Sequence, residues 1–235
     1  RKLFTMNYPL SIYALGQGDV SDADVNMLQE KFPHLKFSPY ISSQVIIKRG
    51  RKLEGAMLFG VDFEKEKQIN SVVAAGLGQS KIQKYGLLIG KGIKDGFLLD
   101  TEDKLTLVFT QSEPGGFSLI PKMKRFTYQD DFESGLVAYD KTYMYTTVES
   151  LASVLSYAKG TYDGIHLFSN EPFEDIEKIK KVLAPHLNIV GWWQQNGNFF
   201  SALALEKRAL FIVLMLIILV ASLNIISSLL MTVMN

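Results

Sequence analysis

The sequence predicts an α+β fold in two parts, followed by one transmembrane helix. Three observations predict it. Strand-like and helix-like runs alternate through most of the chain. The stretch near its start resembles the stretch around Leu187. Ala209 to Val233 then carries no charged residue. The chain has 235 residues, 47% of them hydrophobic and 21% charged, with 25 Lys and Arg against 24 Asp and Glu. Such a composition excludes a disordered chain and a collagen-like repeat. The near balance of charge argues against a nucleic-acid binder. With no cysteine, thiol catalysis, Cys-ligated zinc and disulfides are excluded.

The first unit opens with a strand over Leu10 to Leu15. Ser21 is an N-cap residue, and Val25, Leu28 and Phe32 follow at helical spacing. Pro33-His34-Leu35 then leads into a second strand, Lys36 to Lys48, rich in β-formers. Late in the chain the order repeats. Ile165 to Phe168 reads as a strand, and Phe173, Ile176, Ile179 and Leu183 make a helical stripe. Glu174 and Asp175 sit in its first turn and Lys178, Lys180 and Lys181 in its last, as the helix dipole favours. Pro185-His186-Leu187 leads to a strand ending at Trp192-Trp193. Two β-α-β units with the same joint predict one subdomain built from residues 1–50 and 148–205, the units side by side with helices on one sheet face.

Residues 51–147 are expected as an inserted, strand-rich subdomain. Leu53 to Val61, Leu105 to Thr110, Arg125 to Phe132 and Tyr143 to Thr146 are its strands, and Gly90-Lys91-Gly92 opens a helical stretch to Leu98. Val148, Leu151, Ala152 and Leu155 form an apolar helical face leading back to the first subdomain.

Sites for chemistry are few. Gly86 to Gly92 has the look of a phosphate loop, but its first glycine stands one residue too close and Gly92 replaces the Ser or Thr that would hold magnesium. A tight turn before a helix is the better reading. His34, His166 and His186 are far apart and suggest no metal site. Asp130, Asp131 and Glu133 form an acidic cluster beside Lys122, Lys124 and Arg125 that reads as a solvated hairpin surface. No Gly-x-Ser-x-Gly elbow occurs. The fragment reads as non-enzymatic, with no catalytic or metal-binding residue.

Two segments do point to function. In Ser112 to Arg125, Pro114-Gly115-Gly116 marks a turn, and Phe117, Leu119, Ile120 and Met123 put apolar groups on a loop that should be wet. Pro121 blunts an edge strand there. Such a rim beside basic residues suits protein recognition, unless these side chains tuck back into their own subdomain. The second segment is the charge-free helix, expected over 206–234. Ala209 to Val233 would run roughly 37 Å as a helix, against a hydrocarbon core of about 30 Å. Its Ser222, Asn224, Ser227, Ser228 and Thr232 suit packing against other membrane helices. Leu210, Phe211, Leu214 and Ile217 at its other end suit lipid or an apolar cavity. A chain beginning at Arg1 and ending at Asn235 reads as a fragment of a longer polytopic protein.

Five stretches together resemble the lipoprotein-releasing permease family, the LolC/LolE type within the MacB/FtsX-like mechanotransmission superfamily. They are Leu88 to Leu99, Ile120 to Phe126 with Phe132 to Leu136 and Tyr139-Asp140, Tyr143 to Tyr157, Trp192 with Leu205-Glu206-Lys207, and Ala221 to Met234. Their order and spacing cover almost the whole chain. Glu102-Asp103 and Tyr128 to Asp131 depart from the family pattern, which leaves the local hairpin geometry open.

The resemblance implies a non-catalytic subunit with four membrane helices, in a bacterial inner membrane, with residues 1–205 in the periplasm between the first two. Cytoplasmic ATPase subunits would carry ATP and magnesium, with no cofactor in this chain. A second permease subunit, same or related, would complete the transporter. Acylated lipoprotein cargo would be lifted from the membrane and passed to a soluble periplasmic chaperone. In that setting Phe117, Leu119, Ile120, Pro121 and Met123 would form the chaperone-docking hook, and Leu210, Phe211, Leu214 and Ile217 would border the cavity for acyl chains. No nucleic-acid partner is implied. Two alternatives share the architecture: a regulatory cell-division permease that switches on a periplasmic hydrolase, and a macrolide-exporter-type efflux subunit.

Overall fold

The computed structural model describes residues 8–16, 18–110, 121–195 and 197–234, without the side chains of 198–204 and 232. In chain order the elements are β1 (Leu10–Ala14), β2 (Val20–Ser21), α1 (Asp22–Lys31), β3 (Lys36–Arg49), β4 (Lys52–Val61), α2 (Phe63–Ile69), α3 (Ser71–Leu77), β5 (Gly86–Gly90) and α4 (Lys91–Phe97). There follow β6 (Lys104–Phe109), β7 (Lys122–Phe132), α5 (Val137–Asp140), β8 (Tyr143–Thr147), α6 (Val148–Leu155), β9 (Thr161–Tyr162), β10 (Gly164–Phe168), α7 (Pro172–Lys180), β11 (Leu187–Gly191), α8 (Trp192–Gln195) and α9 (Gly197–Val233). Two compact units divide between Trp192 and Trp193.

One sheet of nine strands organises the first unit, in the order β11-β1-β10-β3-β4-β8-β5-β7-β6. At its first end the two β-α-β units interlock rather than stand side by side. β1 lies antiparallel between β11 and β10, and β10 in turn pairs antiparallel with β3. This is the split β-α-β arrangement, in which each unit's own strands are separated by a strand of the other. The joints interlock too. His34 Nε2 lies 3.8 Å from Asp175 Oδ1 in the first turn of α7, and His186 Nε2 lies 3.6 Å from Asp24 Oδ2 in the first turn of α1. Each Pro-His-Leu joint thus meets the start of the other unit's helix. Ser21 caps α1 in a reciprocal box with Asp24.

At its other end the sheet closes. β6 pairs with β7 and also returns to β3, Val45 opposite Phe109 and Lys48 opposite Thr106. β3, β4, β8, β5, β7 and β6 therefore form a ring. Its interior holds Val45, Ile47, Leu58, Leu87, Ile89, Leu105, Leu107, Phe109, Phe126 and Met144, all buried. A second cluster of Val61, Phe63, Val73, Leu77, Leu88, Phe132 and Tyr145 packs outside β5. A register shift between Leu87 and Leu88 opposes Tyr128 to Leu87 but Asp130 to Leu88. That bulge turns Phe132 to the outer cluster, while Phe126 and Tyr128 stay in the inner one.

Several expectations are corrected. Gly86 to Gly90 is a strand buried on both faces, not only a turn. The glycines serve close approach: a methyl on Gly90 would overlap the Asp140 carbonyl, and one on Gly92 would lie 2.6 Å from Lys141 Cγ. The helices α2 and α3 were not expected. Each has seven residues, and Asn70 ends the first and caps the second, accepting from the Val72 and Val73 amides at 3.1 and 3.2 Å. With the apolar residues split over two axes, neither gives a readable period. Phe173 is 63% exposed although Ile176 and Ile179 of its stripe are buried; it stands at the start of α7, directly after Pro172. The last strand stops at Gly191, and Trp192 and Trp193 begin a helical turn.

Candidate functional site

The stem of the Ser112 to Arg125 hairpin is β6 and β7, paired from Lys104 opposite Thr127 to Phe109 opposite Lys122. Phe117, Leu119 and Ile120 lie outside the described residues. Pro121 is exposed, and Met123 is 59% exposed. Side chains alternate across the pleat, so residues flanking the buried Leu107, Phe109 and Phe126 face away from the ring. Met123 therefore shares an outer row with Val108 and Ile46, and Arg125 a neighbouring row with Thr106 and Lys48. Lys48, Gly50, Thr106, Met123, Lys124 and Arg125 line a shallow depression of about 520 Å³. The stem is thus apolar near the loop and cationic behind it.

Where the stem leaves the body, β3 changes partner. The same edge of β3 pairs with β6 at 45–48 and with β10 at 36–40. The gap is closed by Asp163, whose carboxylate accepts from the Ser42 amide at 2.8 Å, the Gly18 amide at 3.0 Å and the Tyr157 hydroxyl at 2.7 Å.

The acidic cluster finds other partners than the neighbouring Lys122, Lys124 and Arg125. Asp131 accepts from Lys94 Nζ and from the Tyr128 hydroxyl, each at 2.7 Å, and Glu133 pairs with Lys91 at 3.0 Å. The Asp131 carboxyl is held low by those two hydrogen bonds and the lysine charges, against a desolvation that pushes it up. It ties β7 to α4.

Sequence reasoning missed a buried polar cluster on α2. Glu66 is fully buried and accepts from the Ser38 hydroxyl at 2.6 Å and from the Tyr8 hydroxyl. Asn70 Nδ2 donates to the Tyr8 oxygen at 3.0 Å. The Tyr8 ring stacks on His166 at 3.7 Å, and His166 stacks on Tyr40 at 4.0 Å. Burial pushes the Glu66 carboxyl up, the Tyr40 phenol up to about 12 and the His166 imidazole down to about 3. His166 Nδ1 is buried without a hydrogen-bond partner. The one usable signal was Glu66 among Phe63, Ile69 and Val73. Among the described residues, no three His, Asp or Glu side chains gather as a metal site would require.

In the second unit, Leu205–Met231 is a 27-residue candidate membrane span, whose most apolar stretch of 18 residues has a mean hydropathy of 3.0 and no buried residue. Its length of about 40 Å exceeds the hydrocarbon thickness of about 30 Å. At about 100° per residue, Leu210, Leu214, Ile217, Asn224 and Ser228 fall along one line of α9, with Phe211, Ser222 and Ser227 off it. The Ser222 hydroxyl donates to the Ile218 carbonyl at 2.8 Å, within its own helix.

No family model matches the chain. It is 25% identical over 208 residues to the lipoprotein-releasing system transmembrane protein LolC of Neisseria meningitidis, covering 85% of this chain and 50% of that protein. To LolC of Xylella fastidiosa it is 27% identical over 198 residues, 81% of this chain and 47% of that one. To LolE of Haemophilus influenzae it is 25% identical over 209 residues, 86% and 50%. The chain is similar to LolC and LolE over most of its own length. It spans about half the length of these relatives. The fold of this LolC-like chain is that of the periplasmic region of MacB from Actinobacillus actinomycetemcomitans, at a TM-score of 0.50 and 13% identity over 81% of this chain and 91% of that one. The extracellular domain of the transporter YknZ from Gram-positive bacteria has the same fold, at 0.51 and 9% over 77% and 99%. The α+β class and the apolar C-terminal helix expected from the sequence therefore stand.

Proposed function

We propose that this chain is part of an inner-membrane ABC permease subunit that works in lipoprotein release. The observation that carries the reading is its similarity to LolC and LolE over most of its length, within a fold shared with the MacB periplasmic region. Residues 1–205 lie in the periplasm, and the full protein has further membrane helices. ATP is hydrolysed on separate cytoplasmic subunits, and a second permease subunit completes the pair. The β6–β7 hairpin is the docking hook for a soluble lipoprotein chaperone. Its apolar rim, Phe117, Leu119, Ile120, Pro121 and Met123, enters the partner, and the cationic rows behind it steer the approach.

Leu210, Phe211, Leu214 and Ile217 border the path of the cargo's acyl chains, where each methylene buried is worth about 0.8 kcal/mol. Asn224 and Ser228 continue the same line of α9 and pack against neighbouring membrane helices, with Ser222 and Ser227 beside them.

The test is capture of purified periplasmic lipoprotein chaperone by the full-length permease in detergent, with Met123→Glu as the variant. Capture falling at least tenfold in the variant is expected. Equal capture by both overturns the hook. Capture of a cell-wall hydrolase or its activator, and not the chaperone, puts the regulatory cell-division reading in its place. An ATPase domain on the same full-length chain does the same for the efflux reading.

A further inference from the structure

The base of the hairpin is held by one residue in an unusual conformation. Tyr85 has a φ of 60°, in the left-handed region that bulky side chains rarely enter. Such strain persists only where surrounding contacts hold it. Here every part of the residue is engaged. Its amide donates to Ser150 Oγ of α6 at 2.9 Å, and its carbonyl accepts from the Thr127 amide of β7 at 2.9 Å. Its ring meets Phe126 edge-on at 5.6 Å and carries the Lys124 ammonium 4.2 Å above its centre. Its hydroxyl lies 3.3 Å from Ser153 Oγ, again on α6. Two residues nearer the loop, Lys122 Nζ donates to Ser156 Oγ, just past α6, at 3.2 Å.

Lys122 and Lys124 alternate with Met123 and Arg125 along β7, so the two pairs face opposite ways. The lysine face is fastened to Tyr85 and α6. The Met123 face is left to solvent. We propose that Tyr85 is the positioning residue of the docking hairpin: it clamps the stem to α6 through Lys124, so that the Met123 face is presented in one orientation. This rests on the docking reading above. The phenol is drawn below its ordinary pKa first by the Ser153 hydrogen bond, then by Lys124 and Lys84, against some desolvation, as a ring sitting between cations and α6 should be.

The experiment uses the full-length permease in detergent with Tyr85→Leu, Tyr85→Phe, Lys124→Met, the Tyr85→Leu/Lys124→Met double variant and Met123→Glu. Hydrogen exchange over residues 122–125, the stem segment of β7, reports the clamp without any partner. A rise of tenfold or more is expected in Tyr85→Leu and Lys124→Met, no larger in the double variant. Tyr85→Phe keeps the ring under Lys124 but loses the hydroxyl that reaches Ser153, so its rise should fall between the unaltered chain and Tyr85→Leu. Exchange over 126–132 stays unchanged in every variant, which separates loss of the clamp from loss of the fold. An unchanged rate at 122–125 in Tyr85→Leu overturns the clamp. Chaperone capture is then measured on the same proteins. Tyr85→Leu should weaken it about tenfold, with Met123→Glu abolishing it. Capture lost in Met123→Glu but kept in Tyr85→Leu overturns the positioning role. No capture by the unaltered chain overturns the docking reading instead, and exchange alone then decides the clamp.

Discussion

Asp163 Oδ2 sits 2.8 Å from the Ser42 amide, on the edge of β3 between the residues paired with β6 and those paired with β10. A carboxylate there supplies acceptors that a strand cannot, because neither neighbour reaches Ser42. Asp163→Ala leaves the Ser42 and Gly18 amides and the Tyr157 hydroxyl without their partner. A loss of roughly 2–3 kcal/mol is expected, since hydrogen bonds to charged groups are worth more than neutral ones. Asp163→Asn, which keeps one oxygen, should lose less. Denaturant unfolding of both variants checks the order.

Stability should fall in acid through His166. Its folded pKa is about 3 against an ordinary 6.5, so the folded protein refuses a proton that the unfolded chain accepts. The stabilisation is complete above about pH 6.5 and declines by up to about 1.4 kcal/mol per pH unit down to the folded value. His166→Phe keeps a ring between Tyr8 and Tyr40 and removes the proton. A flatter stability profile between pH 6.5 and 4 is expected in that variant, and an unchanged slope would show that other groups set it.

Gly90→Ala should be among the most damaging small substitutions in the ring. Gly90 has ordinary backbone angles, so the penalty comes from the clash with the Asp140 carbonyl and not from conformation. A backbone atom cannot swing aside as a side chain can, and overpacking costs about 1–3 kcal/mol or more. Gly55→Ala, on β4 with nothing near the added methyl, is the control and should stay within about 0.5 kcal/mol of the parent. A thermal melt of each compares them.

Glu66 is a buried acid held by neutral donors, Ser38 and Tyr8, and burial raises its pKa. Its folded pKa lies above the unfolded one, so the folded form is favoured most below the unfolded value and loses that advantage as pH rises through the folded one. Glu66→Gln should therefore be neutral or stabilising at pH 8. Glu66→Ala should cost about 2–4 kcal/mol by leaving a cavity and taking the acceptor from the Ser38 and Tyr8 hydroxyl protons. A stability-against-pH series on both variants measures this.

Much of the fold was legible because it rests on local rules. Ser21 with Asp24, the Ile176 and Ile179 stripe and the long run of β-formers from Lys36 carried their own signals. β5 was harder to read, since a strand buried on both faces has no alternation, and its flanking glycines look like a turn. The candidate site was legible only as a loop with misplaced apolar residues. Tyr85, Lys124 and Ser153 are spread along the chain and carry no common motif. Their meeting depends on β5 and β7 pairing in parallel, with α6 laid alongside.

By itself the sequence determined that this chain holds an apolar span able to cross a membrane, that an α+β region precedes it, and that its two ends share a β-α-β pattern. Each follows from composition or short-range periodicity. Tertiary structure alone decided that the two β-α-β repeats interlock, that six strands close into a ring and that Asp163 fills the gap in the β3 edge. It also decided which face of the hairpin stem is fastened and which is free. Those outcomes depend on strand partners distant in sequence, and a strand's own residues fix which side chains alternate but not which neighbour it takes.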